Sequence, residues 1–148
     1  GQQCVNCGDF EVFFKIWKRA TRMRGFWSST RRDYENLVRC FGNNCICLSI
    51  DDVCGCLILM HRKVAYYYYA AALPEAKDKS LGYLAVWEVM QEAKRRGCNV
   101  WDWEGIYDAR WPNKDWLGFS HFKKSFGGVE IEMPGSFVRK SLSDFMGF

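Results

Sequence analysis

Cysteine and histidine are the first residues here whose types and spacing could do chemistry. The chain has 8 Cys and 2 His. Cys4-x-x-Cys7 has the spacing of a metal-ligand pair, and Cys45, Cys47, Cys54 and Cys56 form two C-x-C pairs. A structural zinc site takes C-x-x-C-type pairs and four converging ligands. On a strand, C-x-C places both thiols on one face, where small buried hydrophobes are equally welcome. We expect no bound metal. His61 falls at a strand end and His121 adjoins Phe122-Lys123. No Ser-His-Asp or Cys-His signature marks a covalent nucleophile. Asp102 stands between Trp101 and Trp103, and Lys123 lies in Phe122-Lys123-Lys124-Ser125-Phe126-Gly127-Gly128. By residue type alone, Asp102 reads as a cap for the loop that follows and Lys123 as a solvated helix lysine.

The composition narrows the class. With 148 residues, 49% hydrophobic and 26% charged, the chain is long enough to bury one real core. Aromatic residues reach 17%, enough to fill a core and still line a ligand cleft. The net charge of +4 is below that of a dedicated nucleic-acid binder. Basic residues do cluster at Lys15, Lys18, Arg19, Arg22 and Arg24, at Arg31 and Arg32, and at Lys94, Arg95 and Arg96. These clusters read as solvated helix faces or as a surface for a phosphate-bearing partner: a tRNA end, coenzyme A or a nucleotide-linked precursor. The N-terminus is polar and has no apolar signal core, and the run Val64–Leu73 is too short for a membrane span. The expectation is therefore a cytoplasmic protein with reduced cysteines and no membrane span.

These residues must be positioned by an α/β framework. Apolar spacing predicts a helix over 9–24 with Asp9 as N-cap and Gly25 as stop, then a second helix to Phe41 capped within Ser28–Thr30. Three strands follow, at 45–50, 53–60 and 64–72, joined by the tight turns Asp51-Asp52 and Arg62-Lys63 as an antiparallel meander. Within Tyr66-Tyr67-Tyr68-Tyr69, alternation points two rings to each face. A helix over 81–96 stops at Gly97, and a strand over 99–103 comes next. A loop, a short helix over 116–125 and a strand over 129–133 follow, and 137–142 reads as strand or terminal helix. A helix crossing between strands implies some parallel pairing beside the meander. The fold class is mixed α/β, a mostly antiparallel central sheet flanked by helices, in a single domain over 1–148.

This order is similar to the GNAT acyltransferase fold. That superfamily carries an R/Q-x-x-G-x-G/A turn ahead of its central helix, where backbone N–H groups and the helix N-terminus receive pyrophosphate. The same register here reads Lys77-Asp78-Lys79-Ser80-Leu81-Gly82, with Ser80 at the middle glycine. Four linked blocks resemble the Fem family of peptidoglycan peptide-bridge aminoacyl transferases. They are the tyrosine strand Tyr66–Ala72; Trp87-Glu88 with Ala93-Lys94-Arg95-Arg96-Gly97; Trp101-Asp102-Trp103-Glu104-Gly105-Ile106; and Phe122–Gly128. The likeness runs over roughly residues 10–140 and matches the second of the two domains such proteins hold.

The resemblance implies an acyltransferase that moves an aminoacyl or acyl group from a donor, a tRNA end or coenzyme A, to an amine such as that of a cell-wall precursor. Lys123 at the motif lysine then becomes a cation for the developing oxyanion or for a donor phosphate. Asp102 becomes a residue that orients the loop or holds the amine. Tyr67, Tyr69, Trp103, Gly105, Phe122, Phe126 and Gly127 become substrate contacts, and Lys77, Lys79, Ser80 and Gly82 donor-phosphate contacts. Two other readings stay open: a CoA-dependent N-acetyltransferase, and a non-catalytic module that keeps an aromatic cleft. The chain could be one half of a larger protein, act alone, or pair as a homodimer.

Overall fold

The computed structural model describes residues 5–23, 25, 28–77 and 79–135. In chain order it contains strand β1 (Val5–Cys7), helices α1 (Phe10–Met23) and α2 (Arg31–Phe41), a 3-10 turn at Gly42–Asn44, and strands β2 (Cys45–Ile50), β3 (Cys54–His61) and β4 (Val64–Ala72). A single turn α3 (Pro74–Lys77), helix α4 (Leu81–Arg95), strand β5 (Val100–Asp102) and helix α5 (Trp116–Lys124) complete it. The residues group into two compact units, 1–106 and 107–148.

Local chemistry sets the helix starts. The Asp9 carboxylate accepts the Val12 N–H at 2.9 Å, capping α1. Thr30 and Asp33 form a reciprocal capping box at the start of α2: Thr30 Oγ1 accepts the Asp33 N–H at 3.2 Å, and the Asp33 carboxylate accepts the Thr30 N–H at 3.1 Å. These bonds hold the Asp33 carboxyl below its ordinary value. The buried Tyr34 hydroxyl donates to the Phe10 carbonyl at 2.9 Å, tying α2 to α1.

The five strands lie in the order β1-β2-β3-β4-β5. Pairing is antiparallel through β4, and α4 then crosses over to make β5 parallel to β4. The connections Asp51-Asp52 and Arg62-Lys63 all have positive φ without a glycine. Such left-handed turns match the twist of hairpin strands. Helices α1 and α2 cover one sheet face, packing on Cys45, Cys47, Leu57 and Leu59. Helix α4 covers the other, packing on Ile46, Leu48, Ile50, Cys54, Cys56 and Ile58. Burial on both faces explains why β2 and β3 read as continuous apolar runs.

The second unit is built around α5. The Ser120 hydroxyl accepts the Tyr107 N–H at 2.7 Å and donates to the Trp116 carbonyl at 2.6 Å, fixing the loop to the helix. Arg110 bonds both oxygens of Asp108, reaches Glu132 at 3.0 Å, and Lys124 pairs with Glu130 at 2.6 Å. The predicted strand at 129–133 is absent. The segment carries no regular structure and pairs with no strand among the described residues, and Val129 is 90% exposed. An alternating sequence becomes a strand only when a neighbouring strand meets its backbone groups. The predicted element at 137–142 lies outside the described residues. Among the described residues no helix is long and apolar enough to cross a membrane.

Candidate active site

The first unit holds the strongest candidate site, where two strands part. Strand β5 pairs with β4 only over Val64–Tyr66, opposite Val100–Asp102. From Tyr68 to Ala72, that edge of β4 has no neighbouring strand among the described residues. A bulge sits at the same place. Leu57 pairs with Tyr69 and Ile58 with Tyr67, which leaves Tyr68 as the extra residue. Bulges bend a strand and re-aim its side chains, and they concentrate beside active sites. An open strand edge can hold an extended ligand by main-chain hydrogen bonds. Its N–H groups can also stabilise a developing oxyanion.

The bulge also resets the alternation of the four tyrosines. Tyr66 and Tyr69 both pack toward α1, Tyr67 packs toward α4, and Tyr68 is exposed. Tyr67 and Tyr69 are therefore placed on opposite faces. Tyr69 stacks on Trp17 with ring centroids 4.4 Å apart, and its hydroxyl lies 2.9 Å from Ser29 Oγ. Tyr67 meets the edge of Trp103 at 5.2 Å and Trp101 at 6.0 Å. Burial pushes the Tyr67 phenol well above its ordinary value, so it stays a neutral hydrogen-bonding group at physiological pH. Trp101 Nε1 is buried and has no hydrogen-bond partner among the described residues. Such a donor costs on the order of 1–3 kcal/mol and marks a place where an acceptor atom would fit.

Asp102 ends β5. Its carboxylate accepts the Glu104 N–H at 2.7 Å, and Glu104 itself has φ +61°. Asp102 thus caps the turn leaving the strand, the role its residue type suggested. Trp103 is half-buried beside Tyr67, and Gly105 lies exposed in the loop beyond.

The Lys77–Gly82 segment forms the approach to α4, at the end of the sheet toward which β4 runs. Lys77 ends α3, Lys79 and Ser80 are exposed, and Gly82 lies in the first turn of α4. Ser80 has φ +52° and makes no side-chain cap, so no side chain of the N-cap covers the first N–H groups of α4. The turn is closed by backbone bonds, Ser80 N–H to the Lys77 carbonyl and Tyr83 N–H to the Ser80 carbonyl, both 3.1 Å. A 15-residue helix beginning in this way presents a positive end to an anion.

In the second unit, α5 carries Lys123, only 9% exposed, with its ammonium 4.9 Å from the Phe119 ring centroid. Phe122 and Phe126 meet edge-to-face at 5.4 Å. Gly127 and Gly128 follow with φ +81° and +111°, values that favour glycine and turn the chain out of the helix. His121 is exposed on α5 and His61 exposed at the end of β3.

The cysteines divide by face. Cys45 and Cys47 face α1, whereas Cys54 and Cys56 face α4, so the sheet separates the two pairs. No group of three or more His, Cys, Asp or Glu among the described residues is placed to hold a metal ion. Side chains of Cys4 and Cys7 lie outside the described residues.

An antiparallel meander, an αL turn feeding a crossover helix, and strands that part beside a bulge together describe the GNAT fold. Solved structures agree. The chain matches an aminoglycoside acetyltransferase from an uncultured soil metagenomic sample at TM-score 0.64 and 14% identity, covering 94% of this chain and 96% of that one. It matches glucosamine-6-phosphate N-acetyltransferase from Arabidopsis thaliana at TM-score 0.60 and 14% identity, covering 93% and 100%. It matches FemX at TM-score 0.71 and 15% identity, covering 84% of this chain and 50% of FemX, so the chain spans about half of that protein. At these identities the likeness is one of fold. No curated protein sequence matches. The FemAB family matches residues 49–141, more than half of the sequence, and this chain belongs to that family.

Sequence reasoning found the α4 turn and the aromatic strand, but it missed the open β4 edge and the Tyr68 bulge. The only available signal was the brevity of the β-like run before the polar loop at Glu104.

Proposed function

We propose that this chain transfers an aminoacyl group from aminoacyl-tRNA to an amine of a cell-wall precursor. The observation that carries the reading is the parting of β4 and β5 beside the Tyr68 bulge. In the reaction, the acceptor nitrogen attacks the ester carbonyl. The new C–N bond forms, the ester C–O bond breaks, and the ribose oxygen leaves with a proton while the amine gives one up. Negative charge gathers on the carbonyl oxygen in between, and fixed N–H donors or a cation lower that barrier. The open β4 edge supplies main-chain groups for the donor arm. The α4 N-terminus with Lys77, Lys79, Ser80 and Gly82 receives a donor phosphate, and Lys123 serves as the motif cation. Asp102 acts as a positioning residue and Tyr67, Trp103 and Gly105 shape the substrate surroundings, whereas Tyr69 packs on Trp17 across the sheet, and Phe122, Phe126 and Gly127 shape the surroundings of Lys123 within the second unit. A tRNA-borne donor fits a reaction in the cytoplasm, and the chain performs the step alone, as a homodimer or as one half of a larger protein.

A second reading, CoA-dependent N-acetyl transfer, draws on the uncapped start of α4. Thermal melting separates the two, because a ligand that binds only the native state must raise the midpoint. At a hundred times Kd the gain is about 2.7 kcal/mol, roughly 5–10 °C for a chain of this size. A rise with aminoacyl-adenosine or charged tRNA and none with acetyl-CoA supports the proposal. A rise with acetyl-CoA alone, abolished by Lys77→Ala with Lys79→Ala, overturns it in favour of acetyl transfer. No rise with either donor favours the non-catalytic module.

A further inference from the structure

Ser28, Ser29 and Thr30 are three hydroxyl residues in a row ahead of α2, and only Thr30 caps it. The other two turn to different partners. Ser29 is 8% exposed, and its Oγ lies 2.9 Å from the Tyr69 hydroxyl. Lys18 Nζ donates to Ser28 Oγ at 2.7 Å and to the Ser29 carbonyl at 3.4 Å. The same ammonium stands 6.0 Å from the Trp17 ring centroid, within reach of the ring's negative face. Lys18 and Ser28 are both half-buried. A surface lysine ordinarily wanders, but this one is held. The loop that grips it is fixed at Ser29 by Tyr69 and at Thr30 by the α2 capping box.

An ammonium has three hydrogens to donate and a serine hydroxyl has one. Lys18 spends two, on Ser28 and on the Ser29 carbonyl, and keeps one. Ser28 Oγ is the acceptor in its bond with Lys18, so its own hydrogen stays available among the described residues. Two donor hydrogens and one positive charge, on atoms 2.7 Å apart, match the two oxygens and single charge of a carboxylate. A phosphate monoester brings three free oxygens and a charge of about −1.5 to −2 near neutral pH, more than the pair can meet. The surroundings favour an anion. Lys15 and Arg22 are exposed on the same side of α1, at i−3 and i+4 from Lys18, and Glu11, the acidic residue of that helix, is engaged by Arg31.

The pair lies on the α1 side of the sheet, where Tyr69 packs, and α4 covers the other side. Tyr69 directly follows the Tyr68 bulge. A molecule anchored at Lys18 would thus come to the open β4 edge from the face opposite α4. We infer that Lys18 and Ser28 seat a carboxylate of the molecule that accepts the acyl group. The acceptor is then an amine that also carries a carboxylate, an amino acid or a peptide with a free acid group. The inference deepens the proposed function and rests on its transfer to an amine.

The test titrates the full chain, with isotope-labelled lysine side chains, with acetate and separately with inorganic phosphate at constant ionic strength, read by NMR. The Lys18 signal, assigned by its loss in Lys18→Met, should move and saturate with acetate. The Lys15 signal should only drift. Ser28→Ala should weaken acetate binding roughly ten- to hundredfold, the loss expected of one hydrogen bond to a charged group, and Ser28→Thr should restore most of it. Melting checks that each variant is folded. A Lys18 signal that drifts as Lys15 does, equal acetate affinity in Ser28→Ala, or saturation with phosphate alone overturns the inference. Acyl transfer is scored separately. Lys18→Met should raise the KM of a carboxylate-bearing acceptor by a similar factor and leave the KM of the donor unchanged. Transfer whose acceptor KM does not move in Lys18→Met overturns the assignment to the acceptor. Acetate seated at Lys18 in a chain that transfers no acyl group sinks the proposed function and upholds the carboxylate seat.

Discussion

Replacing Gly55 by alanine is a stringent test of how the sheet supports the open edge. Gly55 lies on β3 between Ser49 of β2 and Ala71 of β4. A Cβ added there would stand 2.3 Å from the Leu48 carbonyl oxygen, 3.1 Å from the Phe13 ring and 3.1 Å from Ser49 Cα. The closest atom is backbone within a paired strand, so it cannot rotate away as a flexible side chain would. Phe13 is fully buried beneath α1 and cannot retreat either. Overpacking of this kind costs about 1–3 kcal/mol, occasionally more. With backbone as the obstacle we place Gly55→Ala near the top, about 3 kcal/mol. For a chain of roughly this size that lowers the melting midpoint by about 6–12 °C. Since Gly55 pairs with Ala71, the displacement should pass directly to the free part of β4, and transfer activity should fall even well below the midpoint. The comparison is Gly118→Ala in α5, where the added Cβ meets nothing within 4 Å. There a gain of about 0.5–1 kcal/mol is expected, since glycine is a poor helix interior residue. Calorimetry decides. A Gly55→Ala protein melting within 2 °C of the parent would refute the argument that β2 and β3 are locked at this point.

Four further outcomes follow from burial, hydrogen bonding and charge. Burial pushes the Cys45 thiol up to about 12 and the Cys54 thiol up to about 11. Iodoacetamide at pH 8, read by mass spectrometry, should therefore label exposed Cys40 while sparing both. The unfolded thiols ionise near 9 and the folded ones do not, so the unfolded state binds fewer protons there and stability should decline as pH rises through 9. Tyr69→Phe should cost about 0.5–1.5 kcal/mol by removing the hydroxyl contact with Ser29 at 2.9 Å; a neutral result in chemical denaturation would mean that solvent replaces that bond. Lys123→Met keeps the packing against Phe119 and deletes the charge. It should lower transfer about 10²–10³-fold, as loss of one oxyanion donor does, and an unchanged kcat would remove Lys123 from the reaction.

Much of the fold could be read from the sequence because its signals are local. The bounds expected for the strands at 45–50 and 64–72 coincide with β2 and β4, and that at 53–60 with β3 to within one residue. The expected helix at 81–96 ends one residue late. Gly25, Gly97 and Gly127 stop helices as their positive φ requires. What escaped was non-local. Four identical tyrosines cannot reveal a change of phase, so the Tyr68 bulge is invisible in the letters. It exists because β3 fits one residue fewer than β4 supplies. Strand β1 has three residues, too few for any period to register. The segment at 129–133 failed for the opposite reason: its alternation is clear, but alternation does not provide a pairing partner. The α4 turn was legible as a pattern, while its left-handed Ser80 was not, because a serine gives no hint of φ +52°.

The open edge of β4 also bears on how the protein behaves at high concentration. Tyr68–Ala72, paired with β3 on one side, has no strand on its other edge among the described residues and is rich in small and aromatic side chains. Such an edge invites the backbone of any other extended chain, the first step toward sheet-to-sheet aggregation. The bulge at its base twists the strand and so discourages a long, flat second strand from zipping on. A variant that straightened β4 would present a longer, flatter edge and should associate more readily at high concentration.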